Sequence, residues 1–309
     1  MSRSPVDVKS NLNGRRVLIT GAARGLGAET AKQLAERGAL VTLVGLEPDL
    51  LDQVRARIGD QHLAVRADVT NQDELEAAFA ASVQRFGGID VVVANAGVGN
   101  TTPLSVGSAA AHVRTIDVNL GGAVRTASCA FEELRASGGY LVFVASVGSF
   151  SVMPGMATYC ATKAGVESLA AGLRMEWRHH GIRVGTVHPT FIDTDLVRDT
   201  EHDAPTFQQL RSTLPGPLGT TLRADRVAAV IVDAVERRRR RAYAPGSLAV
   251  LSASRSLLLS ALGERLLDKR LDLKNSMPQW ESESQSTGRD FGGHAAPLDE
   301  QARRDSTPG

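Results

Sequence analysis

The chain has 309 residues, 42% of them hydrophobic, and a formal net charge of +1. That is enough apolar material for one large α/β domain with extensions, and too little net charge to draw in nucleic acid. The two cysteines, Cys129 and Cys160, have no paired spacing, which argues against a disulfide framework or a structural zinc site. They fit a reducing compartment, so a cytoplasmic location is expected. The start, MSRSPVDVKSNLNG, has no apolar centre and does not read as a secretory signal. No run of about 18 apolar residues marks a spanning helix.

Residues 1–13 read as a flexible arm. From 14 to 245, Val/Ile/Leu-rich runs alternate with segments of helical period. The runs are RRVLIT (15–20), LVTLVG (40–45), HLAVRA (62–67), DVVVAN (90–95), YLVFVAS (140–146), IRVGTV (182–187) and RAYAP (241–245). Nearly all are apolar on both faces, as in strands of a doubly covered parallel sheet. Helices are predicted over 25–37, 48–58, 72–86, 108–136, 157–180 and 224–239, with Gly38, Gly59, Gly87, Gly138 and Gly181 at their ends. This pattern predicts a Rossmann-type, doubly wound α/β fold. Its sheet is mainly parallel and seven-stranded, with helices on both faces.

The arginine run 237–241 reads as cations at a helix end. Residues 246–274 form an amphipathic helical extension, with Leu258, Leu262 and Leu266 at i, i+4 and i+8. Packing on the domain or covering a cleft is its plainer reading; a partner chain or a membrane surface are the others. Residues 275–309, rich in Ser, Gly, Pro and charge, read as a disordered tail.

Two stretches carry chemistry. TGAARGLG (20–27) joins the first strand to the first helix. Gly21 suits the turn off the strand, Gly25 lets backbone approach a pyrophosphate, and Gly27 allows tight helix packing. The helix N-terminus adds free N–H groups and a positive dipole end. TYCATKAG (158–165) places Tyr159 four residues before Lys163 on one helix face. A phenol has a pKa of about 10, and a nearby ammonium favours its ionised form. Tyr159 is thus the candidate general acid/base, and a shift towards neutrality is expected. His179 and His180 read as helix-end cations rather than metal ligands, His188 as structural, and Cys160 as a small buried residue. No metal is expected.

TGAARGLG, NAG (95–97), DVNL (117–120), Ser146 and YCATK (159–163) occur in the order and spacing of the short-chain dehydrogenase/reductase superfamily, which residues 12–245 resemble. The resemblance implies an NAD(P)-dependent oxidoreductase that interconverts an alcohol and a ketone or aldehyde. It implies catalytic roles for Asn119, Ser146, Tyr159 and Lys163. Ser146 would polarise the substrate oxygen. Lys163 would also bind the nicotinamide ribose, and the shift of Tyr159 towards neutrality would draw on the oxidised nicotinamide's positive charge as well as on the lysine. Asn119 would break its helix and hold a water that links Lys163 to solvent. Cofactor contacts are implied for Gly21, Arg24, Gly25, Leu26, Gly27, Asp68, Val69, Asn95, Ala96, Gly97, Ile192 and Thr194, besides Tyr159 and Lys163. Asp68 would meet the adenine, and Ile192 and Thr194 the carboxamide. Thr190 in HPT (188–190) departs from the family's Pro-Gly.

The family's cofactor markers at the end of the second strand are absent, since Gly45 and Leu46 stand there. Arg24 resembles a 2′-phosphate ligand, so NADP(H) is favoured slightly over NAD(H). Glu47 is one residue late for the acidic marker. Residues 190–222 are expected to roof a substrate cleft, with Leu196, Val197, Phe207, Leu210 and Leu214 facing it and Val147, Phe150, Val152 and Met153 lining it. That favours a hydrophobic carbonyl or alcohol substrate. Small residues along 157–172 fit a homodimer or homotetramer. A cofactor-sensing protein without turnover and a peripheral membrane lipid-modifying reductase remain as alternatives.

Overall fold

The computed structural model describes residues 12–194, 197–198, 201–202, 204–214 and 216–287. Most of the expected arm, Leu196 and the expected tail beyond 287 lie outside these residues. Nine strands are present among the described residues: β1 (Arg16–Thr20), β2 (Leu40–Gly45), β3 (Leu63–Arg66), β4 (Val91–Ala94), β5 (Tyr140–Val144), β6 (Arg183–Pro189), β7 (Phe191–Asp193), β8 (Thr221–Arg223) and β9 (Arg241–Ala244). Seven of them form one sheet in the order β3-β2-β1-β4-β5-β6-β9. Every pairing in it is parallel.

Twelve helices accompany the strands among the described residues: α1 (Gly25–Glu36), α2 (Pro48–Ile58), α3 (Gln72–Phe86), α4 (Ala109–Ile116), α5 (Gly122–Ser137), α6 (Ala157–Glu176), α7 (Pro205–Thr213), α8 (Ala224–Arg237), α9 (Leu248–Ala253), α10 (Arg255–Leu258), α11 (Ala261–Leu271) and α12 (Leu273–Thr287). The strand side chains alternate between two cores. Val17, Ile19, Val91 and Val93 pack towards α1, α2 and α8. Leu18, Val92, Leu141 and Phe143 pack towards α3, α5 and α6. Both faces are covered, which is why the strands read as continuous apolar runs.

The helix expected over 108–136 is interrupted by a π-turn at Asp117–Gly121, centred on Asn119, where the resemblance implied a local break. Three features depart from the sequence expectation. The extension expected over 246–274 breaks at Ser254 and Ser260, and Ser260 caps α11 by accepting from Gly263 N–H at 3.2 Å. The short parallel pair β7–β8 has too few residues to show a period. The disordered reading of 275–309 is corrected as far as Thr287, because α12 is helical there. Its anchor is Trp280, which is fully buried among Met153, Met156, Phe207 and Leu271. Glu283 adds bonds from Thr206 N (3.0 Å) and Oγ1 (2.8 Å) on α7. One large aromatic outweighs a polar composition here. No helix among the described residues is long and apolar enough to cross a membrane.

Candidate active site

The carboxyl ends of β1, β2, β4, β5 and β6 open onto one cavity of about 880 Å³. Strand order reverses between β1 and β4, so a crevice belongs there. All the residues expected to touch a dinucleotide line this cavity, from Gly21 through Asp68 and Asn95 to Ile192 and Thr194. At α1, Arg24 provides no side-chain cap. By contrast, Asn71 and Ser108 cap α3 and α4 by accepting from Glu74 N–H (3.2 Å) and Ala111 N–H (3.1 Å). The first N–H groups of α1 are therefore left for an anion, with the dipole's positive end behind them. Gly25 has φ +54°, and a Cβ there would meet only Thr194 Cγ2, at 3.5 Å, so a side chain would fill the cradle. At Gly27 the constraint is close approach, since a Cβ would stand 2.7 Å from Asn95 Nδ2. Asn95 itself staples the turn, donating from Nδ2 to Thr20 O (3.0 Å) and Gly21 O (3.1 Å). The residues present fit a dinucleotide.

At the adenosine end, Asp68 is a turn former as well as a cavity residue. One carboxylate oxygen accepts from Thr70 N and Oγ1, both at 2.8 Å, and the other from Arg114 Nη2 at 3.0 Å. Burial pushes its pKa up, but Thr70 and Arg114 together hold it below the usual carboxylate value. Arg24 is paired as well, with Nη2 2.6 Å from Glu47 Oε1. A 2′-phosphate would have to share Arg24 with this carboxylate.

The reacting end is built on β5 and α6. Ser146 follows β5 and is the N-cap of the short turn Val147–Ser149, accepting from Gly148 N–H at 3.1 Å. Tyr159 and Lys163 stand one turn apart on α6 and line the cavity with Ser146. Lys163 is buried and donates from Nζ to Val144 O at 3.0 Å. Its nitrogen lies 5.7 Å from the Tyr159 ring centre. Burial lowers Lys163 to about 8. Burial also raises Tyr159 to about 12, against a downward pull from the Ser146 hydroxyl. In the protein without cofactor the phenol is therefore not depressed, because desolvation of a phenolate outweighs the Ser146 hydrogen bond.

Asn119 lies behind this group rather than in the large cavity. Its Oδ1 accepts from Val98 N–H at 2.7 Å, while Nδ2 donates to Val98 O (2.9 Å) and Thr162 Oγ1 (3.2 Å). The π-turn turns this side chain inward, and all of its amide atoms are engaged. A small cavity of about 10 Å³ touches both Asn119 and Lys163. That is close to the least space that admits one water.

Sequence reasoning missed several contributors. Thr162 links Asn119 to Tyr159, donating from Oγ1 to Tyr159 O at 2.7 Å. Glu167, a further turn along α6, lies 2.8 Å from His188 Nε2 and also meets Arg241. His188 Nδ1 is 3.3 Å from Ser146 O, so the histidine backs the site without lining it. Burial pushes Glu167 up, but His188 and Arg241 bring it down to about 2. Val147, Val152, Met153, Val197, Phe207 and Leu214 line the cavity as expected. Phe150 and Leu210 do not. They turn into the clusters formed with Leu248 and with Trp280, respectively. The extension contributes Leu258, Leu262 and Leu266 to the wall, together with Arg270. Among the described residues, no group of three His, Cys, Asp or Glu side chains is placed to hold a metal.

The family model for short chain dehydrogenase matches residues 15–205. The chain is 35% identical over 221 residues to the cis-4-hydroxycyclohexanecarboxylate dehydrogenase of Sinomonas cyclohexanicum, which is 70% of this chain and 87% of that one. It is 32% identical over 231 residues to the D-threitol dehydrogenase of Mycolicibacterium smegmatis, covering 74% of this chain and 88% of the other. Among solved structures, levodione reductase superposes with a TM-score of 0.70 at 28% identity, over 77% of this chain and all but 1% of its own, its coverage being 99%. The parallel, doubly covered sheet agrees with these matches, and the chain belongs to the short-chain dehydrogenase/reductase superfamily of oxidoreductases.

Proposed function

We propose that the chain interconverts an alcohol and a ketone or aldehyde on a hydrophobic substrate, with Tyr159 as general acid/base. The supporting observation is that Ser146, Tyr159 and Lys163 line the same cavity as the uncapped N-terminus of α1. Gly21, Arg24, Gly25, Leu26 and Gly27 would hold the phosphates of NAD(P), Asp68 and Val69 the adenine side, and Ile192 and Thr194 the carboxamide. When bound, the nicotinamide gives or accepts the hydride. The residues handle what remains, one proton on oxygen. Ser146 Oγ donates to the substrate oxygen. Tyr159 holds the proton of that oxygen, and Lys163 passes it onward to a water in the small cavity beside Asn119. A positive charge beside the Tyr159 hydroxyl would oppose the desolvation that keeps it protonated.

NADP(H) is the proposed cofactor over NAD(H), with Arg24 turning from Glu47 to the 2′-phosphate. Because Glu47 competes, the preference is modest, and Glu47→Gln should strengthen NADPH binding. The names of the curated relatives, dehydrogenases of cyclic and polyhydric alcohols, agree with the reaction class. The apolar wall from α10 and α11 argues for a bulkier substrate than a small polyol. It also uses leucines that a membrane-surface reading needs. The exposed small face of α6, with Ala157, Ala161 and Ser168, beside exposed Val113 and Ile116, supports a homodimer.

The test is Tyr159→Phe, assayed with a panel of hydrophobic ketones and each reduced cofactor. NADPH binding should persist while turnover falls at least a hundredfold. Undiminished turnover would end the mechanism. Cofactor binding with no turnover by the unaltered protein would favour the cofactor-sensing alternative.

A further inference from the structure

The charges around the main cavity fall into two groups. Arg24, Glu47, Arg66, Asp68 and Arg114 lie at the ends of β1 to β3, and all are paired. Arg24 meets Glu47 at 2.6 Å, Arg114 meets Asp68 at 3.0 Å, and Arg66 meets Glu74 at 2.8 Å. Lys163 is committed to the Val144 carbonyl. Arg270 is different. It lines the same cavity from the last turn of α11, and no carboxylate partners it among the described residues. Its Nε donates to Thr213 O at 2.6 Å, at the end of α7. That bond uses one of the guanidinium's donors and orients the group, leaving the paired terminal nitrogens available.

The wall around it is apolar. Leu262 and Leu266 are 59% and 61% exposed, yet both line the cavity. Part of that exposed surface faces the cleft, so apolar side chains that no core covers are within reach of a ligand there. Arg270 follows Leu266 by one turn, so the wall ends in a cation. These residues lie beyond the segment matched by the family model, which stops at 205.

We propose that Arg270 is an anion subsite for the substrate, which is a hydrophobic keto or hydroxy acid. Its carbonyl or hydroxyl carbon meets Ser146 and Tyr159, its apolar body lies against Leu262 and Leu266, and its carboxylate pairs with Arg270. This rests on the oxidoreductase reading for the carbonyl end only. The anion subsite is a binding property that stands apart from turnover. A carboxylate on a planar guanidinium accepts two parallel bonds, and a neutral ester cannot form the ion pair. Because Arg270 is exposed, the discrimination is moderate, about fivefold.

The experiment is calorimetric titration of the full chain with decanoate and with methyl decanoate, without cofactor. Decanoate should bind about fivefold more tightly, less so in high salt. Arg270→Gln should remove the difference, and Arg270→Lys should keep part of it. Leu266→Asp should weaken both probes. Equal binding of the two probes by the unaltered protein, or a preference that survives Arg270→Gln, would overturn the proposal. Failure of every ketone to turn over, with the decanoate preference intact, would instead count against the oxidoreductase reading alone.

Discussion

The indole of Trp280 occupies the space that a side chain at Gly155 would need. A Cβ on that glycine would stand 2.6 Å from Trp280 Cζ2. The pair joins the C-terminal helix α12 to the loop that runs from Ser146 to α6, so the far end of the chain braces the segment leading to Tyr159. Trp280→Ala should cost about 3–5 kcal/mol, the usual cost of emptying a large aromatic site. Trp280→Phe should cost much less. It keeps a ring in place and removes an indole N–H that is buried without a partner. Urea unfolding of both variants checks the contrast. Similar losses would mean that the indole's size is not what holds α12.

Lys163 should be destabilising at neutral pH. Its folded value of about 8 lies below the ordinary lysine value of 10.5. Between these values the unfolded chain binds more protons than the native one, so stability rises with pH across that window. Below about 8 the cost is fully present, on the order of 3 kcal/mol. Lys163→Met should therefore abolish turnover yet raise the melting temperature at pH 7. The gain should shrink as pH passes from about 8 to about 10.5. A less stable Lys163→Met protein at pH 7 would contradict this, beyond the roughly 1 kcal/mol for the lost bond to Val144 O.

Glu167 should behave in the opposite sense. Its folded value of about 2 is below the ordinary 4.5. The stability it contributes is fully present above about 4.5 and is lost as pH falls through about 2. Glu167→Gln should lose about 3 kcal/mol at pH 7, leaving His188 and Arg241 without their carboxylate. The difference from the unaltered protein should close on acidification. Denaturant melts at pH 7, 4 and 3 measure it.

Tyr159 should remain protonated in the cofactor-free protein well above pH 10. A difference absorbance titration of the unaltered protein against Tyr159→Phe should show no tyrosinate from this residue until about pH 12. Repeated with oxidised cofactor, the transition should move down by at least a unit. A transition near pH 7 without cofactor would mean that Lys163 alone depresses the phenol.

The sheet was legible because its signals are local. Val17, Leu18 and Ile19 read as apolar on both faces, and the fold places them in both cores. The glycine turn and the Tyr159–Lys163 pair were legible for the same reason, each being a short spacing within one element. The π-turn was less so. Asn119 looked like a misfit in a helix, and only its bonds to Val98 and Thr162 show what the break accomplishes. Tyr159's state without cofactor was not legible, because spacing shows that a lysine is near but not how much water both groups lose.

Residues 14–245 by themselves determined the fold class and the parallel character of the sheet, since both follow from periodicity, while the resemblance of short motifs marked positions that line the cavity. Tertiary structure alone decided which side of the cleft the extension covers and that residues 275–287 are helical. It also decided that Arg24 is already paired with a carboxylate and that Arg270 has no carboxylate partner among the described residues. These depend on packing between segments far apart in the chain, such as Trp280 on Gly155 and Arg270 on Thr213, where no local period carries the information.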